Sequence, residues 1–192
     1  MKIAITGSSG YVGNYLSQYL CDKGNYIYGL QRKESHNQNK NFKFIEYNLE
    51  KSFPIDCLDD VKVIIHTAFV EHSKKCSNAQ EINYKATKKI LEAIKDKDIR
   101  LIFLSTLSAH DLAKSDYGIG KLRTEKLFKH SIHTVLRLGL VVGKGGLFSD
   151  IFNFVKKSPL MPLIGGGNQP IQLIYWRDLC EIIEKIIFNN NL

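Results

Sequence analysis

Two sets of residues in this 192-residue chain have types and spacings that could do chemistry. The first is Thr6-Gly7-Ser8-Ser9-Gly10-Tyr11-Val12-Gly13. A β-branched apolar run precedes it and a helical pattern follows it. Gly7 allows a tight turn, Gly10 lets backbone approach a pyrophosphate, and Gly13 lets the helix pack close to the strand. The helix N-terminus would then aim N–H groups and a positive dipole end at phosphate. Ser9, Tyr11 and Val12 ride on the same segment, which reads as a dinucleotide cradle.

The second set is a tyrosine with a lysine four residues on. A free phenol ionises near pH ~10, so it needs help to move protons at neutrality. A lysine one helical turn away lies on the same face and favours the phenolate. A shift of about 3 units takes about 4 kcal/mol. With 9 tyrosines and 22 lysines, chance alone supplies about one such pair, so the pattern says little by itself. Four occur: Tyr19/Lys23, Tyr47/Lys51, Tyr84/Lys88 and Tyr117/Lys121. Context separates them. Tyr19 falls on the apolar face of the first helical pattern and is expected in the core. Tyr47 follows the third strand, and Tyr84 opens the helix after the fourth. Only Tyr117/Lys121 begins a helix after the fifth strand, which ends in Ser105-Thr106 at the carboxyl edge of a parallel sheet, where ligands bind.

The elements that must position these groups alternate along the chain. Apolar runs at 2–6, 25–31, 42–46, 61–66, 100–105, 133–137 and 171–175 read as strands. Helical periodicity marks 11–21, 79–95, 115–129, 146–156 and 178–188. The strands are nearly continuous in apolar residues, as in a parallel sheet covered on both faces. The expected fold is α/β: a doubly wound parallel sheet, or Rossmann fold, in three α/β/α layers. Residues 1–192 read as one dinucleotide-binding domain. The stretch 144–170, with its glycine run at 165–167, is the expected substrate loop region.

Composition narrows the partners. The chain is 44% hydrophobic, too apolar for disorder, yet has no run long enough to span a bilayer. The first five residues are too short for a signal peptide, and the four cysteines form no C-x-x-C pair. A cytoplasmic location, no metal site and no membrane partner are expected. The net charge of +8 favours anionic ligands. The lysines are dispersed, without a basic stripe interleaved with aromatics, so a solvated surface is the plain reading and no nucleic-acid partner is expected.

The turn has G-x-x-G-x-x-G spacing with Thr6 before the first glycine. Val63-Ile64-Ile65-His66-Thr67-Ala68 ends in H-x-A. Asn83 stands in I-N-Y-K-A-T, Arg137 to Gly143 reads R-L-G-L-V-V-G, and Arg177-Asp178-Leu179 precedes the last helical pattern. Together these resemble the short-chain dehydrogenase/reductase superfamily, in its extended and atypical branch of NAD-dependent epimerases and dehydratases. Leu138 stands where that family has proline. The resemblance implies that Thr67 and Ala68 lie beside the cofactor. It implies that Tyr117 moves a proton at the substrate oxygen while Lys121 supports it and both touch the cofactor. The partnering hydroxyl maps to Thr106, with Ser105 and Ser108 as alternatives. Asn48 takes the place of an aspartate near the adenine.

At the end of the second strand a dinucleotide fold reads the ribose, with an acid for NAD or an arginine for NADP. Gln31-Arg32-Lys33 stand there, so Arg32 points to NADP, with NAD as the alternative. The resemblance implies an oxidoreductase or epimerase acting on a carbonyl or secondary alcohol of a nucleotide sugar. Leu107 and Ser108 replace the acids of dehydratases, which disfavours dehydration. Extended members continue for on the order of another hundred residues, so the substrate contacts are expected from 144–170 with Arg137 and Trp176. A homodimer fits the family. A dinucleotide-sensing module without chemistry is the alternative function.

Overall fold

The computed structural model describes residues 1–34, 39–71, 73, 76–129, 132–158, 166, 168 and 170–189. The chain divides into two compact units, Met1–Arg137 and Leu138–Leu192.

In the first unit, β1 (Lys2–Thr6), β2 (Tyr26–Gln31), β3 (Phe42–Glu46), β4 (Val61–His66) and β5 (Arg100–Thr106) alternate with α1 (Tyr11–Asp22), α2 (Ala79–Ile94) and α3 (Asp116–Glu125). With β6 (Thr134–Leu138), which ends at the boundary, the strands form one sheet in the order β3-β2-β1-β4-β5-β6. The registered pairings β1–β2, β1–β4, β2–β3 and β4–β5 are all parallel. Consecutive residues in the middle strands are fully buried: Ile3, Ala4 and Ile5, then Ile64 and Ile65, then Leu101 and Ile102. Burial of both alternating faces is what a sheet covered on two sides requires. The expected doubly wound fold is present.

This strand order reverses direction between β1 and β4, and the carboxyl ends of the strands open a crevice there. Register brings the chemistry to that edge. Thr6 lies opposite Leu30 on one side and His66 on the other, and His66 lies opposite Phe103. On one face, Ala86, Ile90 and Ile94 of α2 join Tyr28, Leu30, Ile45, Ile64 and Leu101 in a single apolar cluster. Ile82 is only half-buried, and Asn83 and Thr87 occupy the buried stripe of α2 instead. Helix α3 is shorter than its periodicity predicts. The Ser115 hydroxyl accepts from Gly118 N at 3.1 Å to cap its start, and turn bonds from Leu127 to Thr124 and from Phe128 to Glu125 close its end.

The second unit holds β7 (Leu140–Val142), α4 (Gly146–Lys157), β8 (Leu173–Tyr175) and α5 (Trp176–Phe188). The last strand was expected in the main sheet. It pairs instead with β7, in a separate two-stranded parallel sheet. Leu-Val-Val between two glycines is too short a run to announce a strand. Gly139 permits the pairing, since a Cβ there would fall 2.3 Å from the Gln172 carbonyl oxygen. Helix α5 buries Leu179, Cys180, Ile183 and Ile187, a stripe at helical spacing. Within the expected substrate stretch 144–170, residues 146–157 are helix, while 159–165, 167 and 169 lie outside the described residues. Among the described residues no helix is long and apolar enough to cross a membrane.

Candidate active site

The glycine turn is built on three different constraints. Gly7 has φ +70°, a left-handed conformation that costs a side-chain-bearing residue about 1–2 kcal/mol. Its N–H donates to Leu30 O at 2.8 Å, and Gly10 N–H donates to Gly7 O at 2.8 Å, closing the turn. A Cβ on Gly13 would sit 2.2 Å from Gly7 O, so only glycine lets α1 start this close to β1. A Cβ on Gly10 would meet Gly7 O alone, at 3.1 Å, among the described residues. Helix α1 then begins at Tyr11 with no side-chain cap and no acid in its first turn. First-turn N–H groups have no acceptor within the helix. With the dipole, they make a seat for an anion. Exposed Ser9 and Gly10 and half-buried Tyr11 and Val12 form its rim. These residues fit a dinucleotide pyrophosphate.

At the tip of β2, Gln31 is 3% exposed. Its Oε1 accepts from Ser8 Oγ at 2.7 Å and its Nε2 donates to Lys33 O at 2.9 Å. The amide thus ties the glycine turn to the turn that carries Arg32, whose side chain is exposed. Residue types alone assign neither Ser8 nor Gln31 a role. A glutamine where a ribose reader belongs was the available signal. Half-buried Asn48 accepts from Glu50 N at 3.2 Å through Oδ1, an Asx turn that presents its amide at the end of β3.

The segment after β4 joins the two halves of the site. Thr67 Oγ1 donates to Thr6 O at 2.7 Å, and the Ala68 backbone approaches Gly7 so closely that a Cβ on Gly7 would lie 2.8 Å from Ala68 Cα. Phe69 comes next, and its ring meets Tyr117 edge-on with centroids 5.0 Å apart. The Thr106 hydroxyl stands close enough to the Tyr117 phenol to pull its pKa down. Thr106 Oγ1 accepts from Ser108 N–H at 3.2 Å. Ser105 turns away, donating to Glu125 Oε1 at 2.5 Å. Of the three candidate hydroxyls, Thr106 is the one at the tyrosine.

Lys121 is 3% exposed. Its Nζ donates to Leu104 O at 2.6 Å and lies 4.6 Å from the ring centroids of both Phe69 and Phe103. Burial lowers its pKa from 10.5 to about 7, with the Glu125 carboxylate pulling upward. The Tyr117 phenol is raised, not lowered as the sequence suggested. Partial desolvation is the main cause, although the side chain is still 42% exposed, and the Glu71 charge adds to it, while the Thr106 hydroxyl opposes both. The reason is geometric. The ammonium lies 6.0 Å from the Tyr117 ring centroid and is itself poorly solvated.

The other three pairs do not form such sites. Tyr19 is half-buried with Lys23 Nζ 5.3 Å from its ring centroid. Tyr47 is buried beside Phe53, and Lys51 pairs with Glu46. Tyr84 carries the Arg123 guanidinium over its ring, and Lys88 pairs with Glu92. Arg137, expected to contact substrate, is held by Glu125 through bonds of 2.6 to 3.2 Å. Trp176 opens α5 half-buried, with Tyr175 and Arg177 against its ring.

The model of the NAD dependent epimerase/dehydratase family matches residues 3–191. The chain belongs to this family. An uncharacterized protein of Sinorhizobium fredii, y4nG, is 24% identical over 92% of the chain, and the chain spans 51% of that relative. Among solved structures, UDP-glucuronic acid 4-epimerase from Bacillus cereus, in complex with NAD, is 22% identical with a TM-score of 0.83, covering 100% of this chain and 74% of that one. The human epimerase family protein SDR39U1, with NADPH, is 16% identical with a TM-score of 0.76, covering 100% and 72%. At these identities the likeness establishes the fold. The family member described here thus spans about half the length of that curated relative and about three-quarters of those solved chains.

Proposed function

We propose that this protein binds NADP(H), with NAD as a weaker alternative, and oxidises, reduces or epimerises a secondary alcohol or carbonyl centre of a nucleotide sugar. One observation carries the reading: a phenol with a threonine hydroxyl and a buried lysine beside it, near a glycine turn at the carboxyl edge of the sheet. Gly7, Gly10, Gly13 and the first turn of α1 would hold the pyrophosphate, with Ser9, Tyr11, Val12, Thr67 and Ala68 lining it. Arg32 would meet a ribose 2′-phosphate, and Asn48 the adenine edge. A neutral glutamine at the β2 tip, followed by Arg32 and Lys33, supports NADP over NAD.

Bound there, the nicotinamide supplies the hydride donor or acceptor and, when oxidised, a positive charge. Tyr117 takes or gives the proton at the substrate oxygen, and the Thr106 hydroxyl donates to that same oxygen. Lys121 holds charge beneath the pair. Its lowered pKa makes that charge responsive to any anion or phenolate placed near it. A UDP-linked sugar is the first substrate to try.

A second reading, a dinucleotide sensor without turnover, is favoured by one fact: desolvation, deep at Lys121 and partial at Tyr117, moves both away from their charged forms. Titration with NADPH and NADH, followed by turnover on UDP-sugars, separates the two. Tyr117→Phe should keep dinucleotide affinity and lose about 10²- to 10⁴-fold in kcat. Turnover equal to that of the unaltered protein would refute the catalytic assignment. Tight NADPH binding without turnover on any nucleotide sugar would select the sensor.

A further inference from the structure

We infer that His66 is a positioning residue: protonated on Nε2 alone, it ties the end of β1 to α2 and thereby pins residues 68–70 against the glycine turn. The proton assignment stands on hydrogen bonds alone. The consequence for dinucleotide binding rests on the function proposed above.

His66 ends β4 and is 2% exposed. Its Nδ1 lies 2.6 Å from Thr6 Oγ1 and its Nε2 3.1 Å from Thr87 Oγ1. A neutral imidazole has one donor nitrogen and one acceptor, and each hydroxyl has one proton. Thr87 spends its proton on Asn83 O, at 3.0 Å. It must therefore accept from the ring, which puts the imidazole proton on Nε2. That leaves Nδ1 bare to accept the proton of Thr6 Oγ1, which itself accepts from Ala68 N–H at 3.3 Å. A second ring proton, on Nδ1, would turn the Thr6 hydroxyl proton out of this bond.

The surroundings oppose that second proton as well. Phe103 stands between His66 and Lys121, 5.7 Å from the imidazole centroid and 4.6 Å from the ammonium. Burial first, and the Lys121 charge second, push the His66 pKa down to about 3.

The bonds form a circuit. It starts at Ala68 N–H and passes through Thr6, His66 and Thr87 to the Asn83 carbonyl. The Asn83 side chain then returns to Val70, accepting from its N–H at 2.9 Å and donating to its carbonyl at 2.8 Å. Ala68 and Val70 flank Phe69, whose ring touches Tyr117 and covers Lys121. The circuit therefore sets where the Phe69 ring stands and how near Ala68 lies to Gly7.

The test uses the whole chain with ¹⁵N-labelled histidine. The His66 nitrogens should give a protonated Nε2 and a bare Nδ1, unchanged from pH 8 to pH 5. The reverse pattern, or titration near pH 6.5, overturns the assignment. Amide exchange at Ala68 and Val70 and NADPH affinity are then compared in Thr87→Val and Thr87→Ser. The valine should speed exchange and weaken binding about tenfold, the effect of one lost buried hydrogen bond. The serine, which keeps the hydroxyl, should restore both. Equal exchange in the two variants would overturn the positioning role. If the unaltered protein binds no dinucleotide, the proposed function fails, while the nitrogen shifts and exchange rates still decide this inference.

Discussion

Phe69 meets Tyr117 edge to face, with ring planes at 85°, and carries the Lys121 ammonium 4.6 Å from its own centroid. One aromatic ring thus touches both members of the proposed acid–base pair. It belongs to the same short segment that packs on the glycine turn. Phe69→Leu keeps apolar volume but removes the ring face that faces the cation, an interaction of about 1–2 kcal/mol when desolvated. The expected result is kcat lower by about tenfold, with dinucleotide affinity little changed. Steady-state kinetics at saturating dinucleotide, alongside a binding titration, check it. An unchanged kcat would remove Phe69 from the site.

Lys121 makes stability depend on pH. In the unfolded chain the lysine keeps its proton up to pH 10.5, but in the folded protein only up to about 7. Between those values the unfolded state binds more protons, so stability rises as pH goes from 7 to 10 and is reduced below 7. Lys121→Met removes the buried charge. It should stabilise the protein at pH 7 by an amount on the order of a few kcal/mol, flatten the alkaline rise and abolish turnover. Urea unfolding at pH 7 and 9.5 measures this. A variant less stable than the parent at pH 7 would contradict the burial argument.

Gly13→Ala places a methyl 2.2 Å from the Gly7 carbonyl oxygen, and that neighbour is backbone, which cannot swing aside. The helix must shift from the turn, with a loss of about 1–3 kcal/mol by analogy with overpacked cores. Dinucleotide affinity should fall in parallel. Gly24→Ala is the control. Its φ is +81°, but a Cβ there meets nothing within 4 Å, so it should cost stability without cost to affinity. Chemical denaturation and NADPH titration of both variants decide the point.

Gln31→Glu changes one uncharged oxygen acceptor into a carboxylate beside Ser8 and removes the donor to Lys33 O. The new charge repels a ribose 2′-phosphate and accepts from a ribose hydroxyl. The NADPH-to-NADH affinity ratio should fall about 10- to 100-fold, the scale of charge-assisted bonds. Arg32→Ala should move it the same way by less. An unaltered ratio in both variants would place the adenosine elsewhere.

Much of the fold was legible before any coordinates. In β4 the consecutive Val63, Ile64 and Ile65 are all buried, so an apolar run marks the strand, and alternation with helices then dictates a parallel sheet. Gly7 and Gly13 announce their turn because a left-handed φ at one and a carbonyl 2.2 Å from a Cβ at the other leave no room for another residue. The β7–β8 pairing escaped notice because three residues carry no periodicity.

The site was legible only in part. Tyr117 could be chosen over three other tyrosines because helix and strand order place it at the ligand edge. The contacts around the proposed pair were hidden. The approach of Thr106 to Tyr117, the aromatic rings around Lys121, the Ser8–Gln31 tie and the Thr6–His66–Thr87 chain join residues 11 to 60 positions apart. Residue types and local periodicity determine which segments coil, extend and turn, since those choices are settled by near neighbours along the chain. Which way a buried proton points, and whether a lysine keeps its charge, was decided only when distant strands closed over them, because desolvation and hydrogen-bond partners exist only in three dimensions.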